Sequence, residues 1–155
     1  MPLLIESLRP RNGAAALPAL VAIIALAFVI RISGIDWDQG RYLHPDERHI
    51  VADVLVGRIE FGWPPSWSWL DPETSPINPR PLRDDGTYSG FAYGTLPVYA
   101  VDIIGNVLER VTGIDWGSYE RSQYIGRALS ILFDTGTVLL VYLIGARLLN
   151  RAAGL

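Results

Sequence analysis

A chain of 155 residues that is 50% hydrophobic and only 19% charged, with positive mean hydropathy, has the make-up of neither a water-soluble domain nor a disordered tail. Its thirteen basic residues are all Arg, and its net charge is −3; no nucleic acid is expected as a partner. The absence of Cys excludes disulfide frameworks and thiolate metal sites.

Residues 1–12, read as a cytoplasmic N-terminus, place Arg9 and Arg11 ahead of "GAAALPALVAIIALAFVI", Gly13 to Ile30, which is 18 residues without a charge. A helix needs roughly 20 apolar residues to cross a bilayer. Residues 13–32 are therefore read as a first transmembrane helix, where Pro18 is tolerated better than in water. A cleaved signal peptide would share the basic flank, but Arg31 follows the run directly and no small-x-small pattern closes it.

A long external loop, 33–124, comes next. From Arg31 to Tyr124 the chain holds fourteen of the sixteen acidic residues against eight Arg, with all five Trp and six of the seven Tyr. Such rings favour the headgroup layer, where one edge is wet and the other apolar, so the loop is expected to lie against the membrane. "GIDW" occurs twice, at Gly34 to Trp37 and Gly113 to Trp116, each read as a Gly turn followed by an interfacial Trp. In "DERHIVADVLVGRI", Asp46 to Ile59, residues Ile50, Val51, Val54, Leu55 and Ile59 share one stripe, which predicts an amphipathic surface helix. The following "FGWPPSWSWLDPETSPINPRPLRDDG" holds six of the eleven Pro and reads as extended chain and turns. Its Trp residues, Trp63 among them, suit either a lid that stacks on sugar rings or interfacial anchors. Gly94 to Gly113 is interrupted by Pro97, Asp102, Asn106 and Glu109, and reads as a helix at the interface or packed among other helices.

The second span is 125–149, "IGRALSILFDTGTVLLVYLIGARLL", followed by a cytoplasmic end at 150–155. With two spans, Arg9 and Arg11 lie on the same side as Arg147 and Arg151, as the positive-inside rule requires. The expected fold class is an all-α membrane protein of the plasma membrane, with two transmembrane helices flanking a large non-cytoplasmic loop that carries amphipathic interfacial helices. Ionisable residues within a span are costly and face protein or water. Arg127, near the external boundary, either contacts a lipid phosphate or snorkels to the interface. Asp134 lies about two helical turns from it, too far for a direct pair, and is expected to bond to a helix outside this chain.

Two readings compete for "RYLHPDERHI", Arg41 to Ile50. Pro followed by Asp and Glu is what helix capping and the macrodipole favour with no chemistry involved. The same carboxylates, close to the external membrane boundary, suit catalysis at a lipid surface. His44 and His49 are five apart and share no helix face, so a two-His metal site is unsupported. No Gly-rich phosphate cradle is present, which argues against a nucleotide-sugar donor.

A span, then His44-Pro45-Asp46-Glu47, then Phe91-Ala92-Tyr93-Gly94 with Pro97 and Tyr99, then "GRALSILFDTGTVLLVYLIGARLL" resembles the N-terminal part of the polyprenyl-phosphate-dependent membrane glycosyltransferases of the GT-C fold. These are relatives of the protein O-mannosyltransferases and of the aminoarabinose transferase acting on lipid A. The resemblance covers Ala15 to Leu149. It implies a partial GT-C fold with Asp46 and, beside it, Glu47 in catalysis, and with His44, His49, Tyr93, Tyr99 and Arg127 contacting substrate. The aminoarabinose transferases carry an Arg three residues after the Asp, where this chain has His49. The implied partners are a polyprenyl-phosphate sugar donor, a lipid or protein hydroxyl acceptor and the bilayer.

The chemistry agrees with this resemblance. The leaving group of such a donor is already a stable phosphate, which needs cationic neutralisation by Arg more than a proton. The acceptor hydroxyl needs a base, and one carboxylate within hydrogen-bond reach supplies it. Asp46 would take that proton; Glu47 would orient it or bind a divalent metal, and the scheme requires no other cofactor. Two helices and a loop do not enclose three reactants, so the chain is expected to be the N-terminal part of a longer enzyme, inactive without further C-terminal transmembrane helices. The competing expectation is a complete two-span binding or assembly subunit whose carboxylates only cap a helix.

Overall fold

The computed structural model describes residues 13–60 and 66–155; the expected cytoplasmic segment 1–12, with Arg9 and Arg11, and Trp63 lie outside the described residues. Regular structure runs in the order α1 (Gly13–Ile32), α2 (Pro45–Arg48), a π-helical segment (His49–Leu55), a 3-10 turn (Trp67–Leu70), α3 (Thr95–Thr112) and α4 (Ser122–Leu148). Among the described residues there is no β-strand, only an isolated antiparallel bridge between Leu82 and Tyr88. The regular elements among the described residues are thus all helical, and α1 and α4 are long and apolar enough to cross a membrane. Only 17% of the apolar window of α1 and 6% of that of α4 is buried within the chain. A helix apolar all round that finds no protein to cover it matches a lipid environment better than a soluble core.

The chain divides into two compact units, one running up to Ile35 and resuming at Leu129–Leu155, the other Asp36–Ala128. In the first, Ala16, Leu20, Ala27 and Ile131 are buried. Arg31, in the last turn of α1, forms an ion pair with Asp134 of α4 and donates to the Ala27 carbonyl at 3.0 Å. This corrects the expectation that Asp134 bonds outside the chain. A carboxylate in an apolar helix is costly unless paired, and its partner here is a residue 103 positions away in the same chain.

In the second unit, the expected amphipathic helix begins as one α-turn and then widens. Val56 N–H donates to the Val51 carbonyl at 3.0 Å and Ile59 N–H to that of Val54 at 3.1 Å, both five residues back. The spacing of Val51, Val54, Leu55 and Ile59 suits either helix type, which is why the apolar pattern did not distinguish them. All four are buried, while Ile50 is half-buried. Gly57 closes the widened segment: a Cβ there would stand 2.9 Å from the Asp53 carbonyl oxygen, so only Gly allows so tight a return. The π segment packs against α3, which contributes buried Val98 and Val101. Each such side chain stabilises by about 1.5–3 kcal/mol. α3 ends at Gly113 with φ 72°, whose N–H donates to the Glu109 carbonyl at 2.7 Å. This left-handed C-terminal residue is what glycine tolerates best.

The Pro-rich stretch has few ladder bonds of its own and is pinned from outside. Arg58 donates to the carbonyls of Pro79 at 3.1 Å and Gly90 at 2.9 Å, and the Tyr99 hydroxyl donates to that of Ile77 at 2.8 Å. Glu60 N–H adds a bond of 2.8 Å to the Pro76 carbonyl.

Candidate functional site

The opening turn of α2 presents its acidic residues in two different settings. His44 is the extended N-cap residue, exposed, with no capping bond from its side chain; its carbonyl accepts from Arg48 N–H at 3.1 Å. Pro45 occupies the first turn, where its missing N–H costs nothing. Asp46 is exposed, and among the described residues no cation pairs with it. Glu47 points to protein and is held in a bidentate pair: Arg127 donates from Nε at 2.8 Å and from Nη2 at 2.7 Å to its two oxygens. That geometry is the strong form of a carboxylate–guanidinium contact. Both oxygens of Glu47 are therefore engaged, and among the described residues no group of three metal-binding side chains is gathered.

Arg127 is engaged on a second side as well. Its Nη2 lies 2.9 Å from Asp38 Oδ2, and the ring of Trp37 lies 5.8 Å from its guanidinium carbon. Asp38 is only 2% exposed and accepts two further bonds, from Gly40 N–H at 3.2 Å and Leu43 N–H at 3.4 Å. The Arg127 guanidinium, aided by those amides and opposed by burial, holds the Asp38 carboxyl down at about 2. Asp38, Arg127 and Glu47 together carry one net negative charge.

The loop that wraps Asp38 is tightly wound. Gln39, Gly40 and Tyr42 all have positive φ, at 55°, 71° and 49°. Non-Gly residues in the left-handed region cost energy and persist where the surroundings over-determine them. Tyr42 shows what does so here: it is 1% exposed, its ring packs on Tyr119 at 4.3 Å between centroids, and its hydroxyl donates to the Tyr119 carbonyl. Burial pushes its phenol up to about 12. Asp38 was missed by sequence reading; the signal was present in Asp38-Gln39-Gly40, an Asx-turn pattern.

On the exposed side, Asp46 stands beside the hydroxyl of Tyr93, and the neighbouring carboxylate raises the pKa of that phenol. Tyr93 also lies 6.2 Å from the His49 ring and edge-on to Phe91 at 5.8 Å. His49 Nδ1 is 2.7 Å from Asp53 Oδ2, one turn along. Pro45, Arg48, His49, Asp53 and Tyr119 line a surface cleft of ≈ 470 Å³ there. Asp46, Tyr93 and His49 are thus neighbours, Glu47 and Arg127 form a paired group behind them, and His44 lies exposed at the cap. Tyr99, on α3, donates its hydroxyl to the Ile77 carbonyl at 2.8 Å. A carboxylate left unneutralised, next to a phenol and an imidazole already oriented by a second carboxylate, is an arrangement able to accept a proton from a hydroxyl. Comparison with family models, with curated proteins and with solved structures finds no match to this chain.

Proposed function

We propose that this chain carries the catalytic loop of an integral membrane glycosyltransferase of the GT-C type, which moves a sugar from a polyprenyl-phosphate donor to a hydroxyl acceptor. The observation that carries the reading is the division of labour at α2: Asp46 is exposed and unpaired by any described cation, while Glu47 is locked to Arg127. In the proposed reaction the acceptor oxygen bonds the anomeric carbon as its proton passes to Asp46. The bond from that carbon to the phosphate oxygen breaks, and its electron pair leaves on the phosphate. Glu47 serves this step by position: through Arg127 and buried Asp38 it fixes the backbone that presents Asp46. A lipid or protein hydroxyl is the acceptor class, and the loop works on the non-cytoplasmic side of the membrane.

A second reading is a non-catalytic anchored subunit, and the engagement of both Glu47 oxygens favours it, since one of the two carboxylates is then structural. Asp46→Asn separates the two. It keeps size and leaves the Arg127 pairing untouched, so in native membranes it should abolish transfer of labelled sugar from the polyprenyl-phosphate pool to hydroxyl acceptors. Unaltered transfer by that variant would leave the subunit reading standing.

A further inference from the structure

The cleft of ≈ 470 Å³ beside the acidic turn has a lining that the proton-accepting group at Asp46 does not use. Pro45, Arg48, His49, Ala52 and Asp53 follow one another at helical spacings along α2 and the π segment, and Tyr119 joins them from the stretch between α3 and α4. All six lie within the Asp36–Ala128 unit. The volume falls in the range of about 300–1,000 Å³ usual for small-molecule sites. Its polar groups are set in place yet not spent on protein. Asp53 offers Oδ2 to His49 Nδ1 at 2.7 Å, while its other oxygen has no protein partner among the described residues. Arg48 is exposed and enters no ion pair among the described residues, so its guanidinium donors are open. The Tyr119 ring, 37% exposed, is braced by the buried ring of Tyr42 at 4.3 Å.

The chemistry of these groups selects the occupant. Arg48 and Asp53 offset one another, so a phosphate or carboxylate in the cleft would meet the Asp53 charge and an ammonium would meet that of Arg48. An acyl chain would strip water from both charges and return no hydrogen bond. A neutral sugar ring satisfies all of them together. Each hydroxyl can donate to the carboxylate or accept from the guanidinium, and hydrogen bonds to charged groups are stronger than neutral ones. The C–H faces of the ring fit the Tyr119 ring and the small apolar surfaces of Pro45 and Ala52. We propose that this cleft binds a neutral sugar residue, and that this residue belongs to the acceptor, whose hydroxyl it brings to Asp46 next to Pro45 in the cleft wall. The acceptor role rests on the transfer reading given above; the sugar site does not. The acceptor hydroxyl is then one carried by a sugar, on whatever lipid or protein bears it.

The probes are the methyl glycosides of glucose, galactose and mannose, titrated onto the full chain in lipid nanodiscs with no donor present. The methyl NMR signal of Ala52, in the cleft wall, reports occupancy. At least one glycoside should shift it saturably. Arg48→Gln and Asp53→Asn each remove one charged partner and should weaken that binding about ten-fold or more. A shift by inorganic phosphate and by none of the glycosides, or glycoside binding unchanged in both variants, would overturn the proposal. In wild-type membranes supplied with the polyprenyl-phosphate sugar, the bound glycoside should itself be glycosylated. Its hydroxyl oxygen takes the sugar, its proton passes to Asp46, and one polyprenyl phosphate is released for each product. A glycoside that inhibits transfer without being glycosylated would sit in the place of the donor sugar and would overturn the acceptor role. Glycoside binding that weakens in both variants, with no transfer of any kind in membranes, would uphold the sugar site while the glycosyltransferase reading failed.

Discussion

Arg127→Met is the most informative structural perturbation. It keeps an apolar stem of similar length and removes the guanidinium that serves Asp38 at 2.9 Å and Glu47 at 2.7 and 2.8 Å. Asp38 is 2% exposed, so the variant leaves a buried carboxylate with only two amide donors, at 3.2 and 3.4 Å. Stripping one partner from a buried ion pair costs about 3–5 kcal/mol, and the surviving amide bonds place this case at the lower end. About 3 kcal/mol is roughly a hundred-fold in a local opening equilibrium. The assay is native-state amide exchange at Gly40 and Leu43, the two residues whose N–H groups face the carboxylate. The pH dependence supplies a second test. The folded Asp38 carboxyl lies at about 2 against an ordinary 3.8, so the stability it contributes is present above the ordinary value and is lost as pH falls through that window. In Arg127→Met the main lowering influence is gone and burial remains, so acid relieves the buried charge and the deficit narrows as pH falls. Exchange within about two-fold of wild type would show the pair to be worth no more than a surface contact of about 0–1 kcal/mol, and a deficit independent of pH would show that the Asp38 charge is not its cause; either result would refute the reasoning.

Three further outcomes are expected. Asp46→Asn should let the Tyr93 phenol titrate at lower pH, because the neighbouring carboxylate is what raises it; an unchanged titration of specifically labelled Tyr93 would separate the two side chains. Tyr42→Phe removes the bond to the Tyr119 carbonyl but keeps the ring contact at 4.3 Å, so thermal unfolding should report a loss of about 0.5–1.5 kcal/mol. Asp134→Leu should strand Arg31 and weaken the α1–α4 pairing by about 1–2 kcal/mol in bilayers, and Arg31→Met added to it should restore most of the loss; a double variant no better than the single would mean the pair does not exist.

Much of the architecture was legible because apolar length is a strong signal. The run read from the sequence as a first span is helical as α1 and ends at Ile32, and α4 begins at Ser122, just ahead of the apolar run that starts at Ile125. The helix over Gly94 to Gly113 was legible too, since Asp102, Asn106 and Glu109 fall along one strip and Pro97 lies in its first turn. Three features were not. The widening of the helix after Arg48 depends on a return at Gly57 that apolar spacing does not encode. The Arg31–Asp134 and Arg127–Glu47 pairs join residues 103 and 80 positions apart, and a single sequence holds no measure of that proximity. Asp38 was overlooked because an Asp in a Gly-containing turn is ordinarily solvated, and here two amides and a distant Arg draw it inside.

The division between Asp46 and Glu47 meets its most direct test in the fate of the donor. Membranes containing the wild-type protein, supplied with a labelled polyprenyl-phosphate sugar, should release one polyprenyl phosphate for each sugar moved to a hydroxyl acceptor. Asp46→Asn should stop both, although Glu47 remains paired with Arg127. Release and transfer continuing together at the wild-type rate in Asp46→Asn would contradict the account.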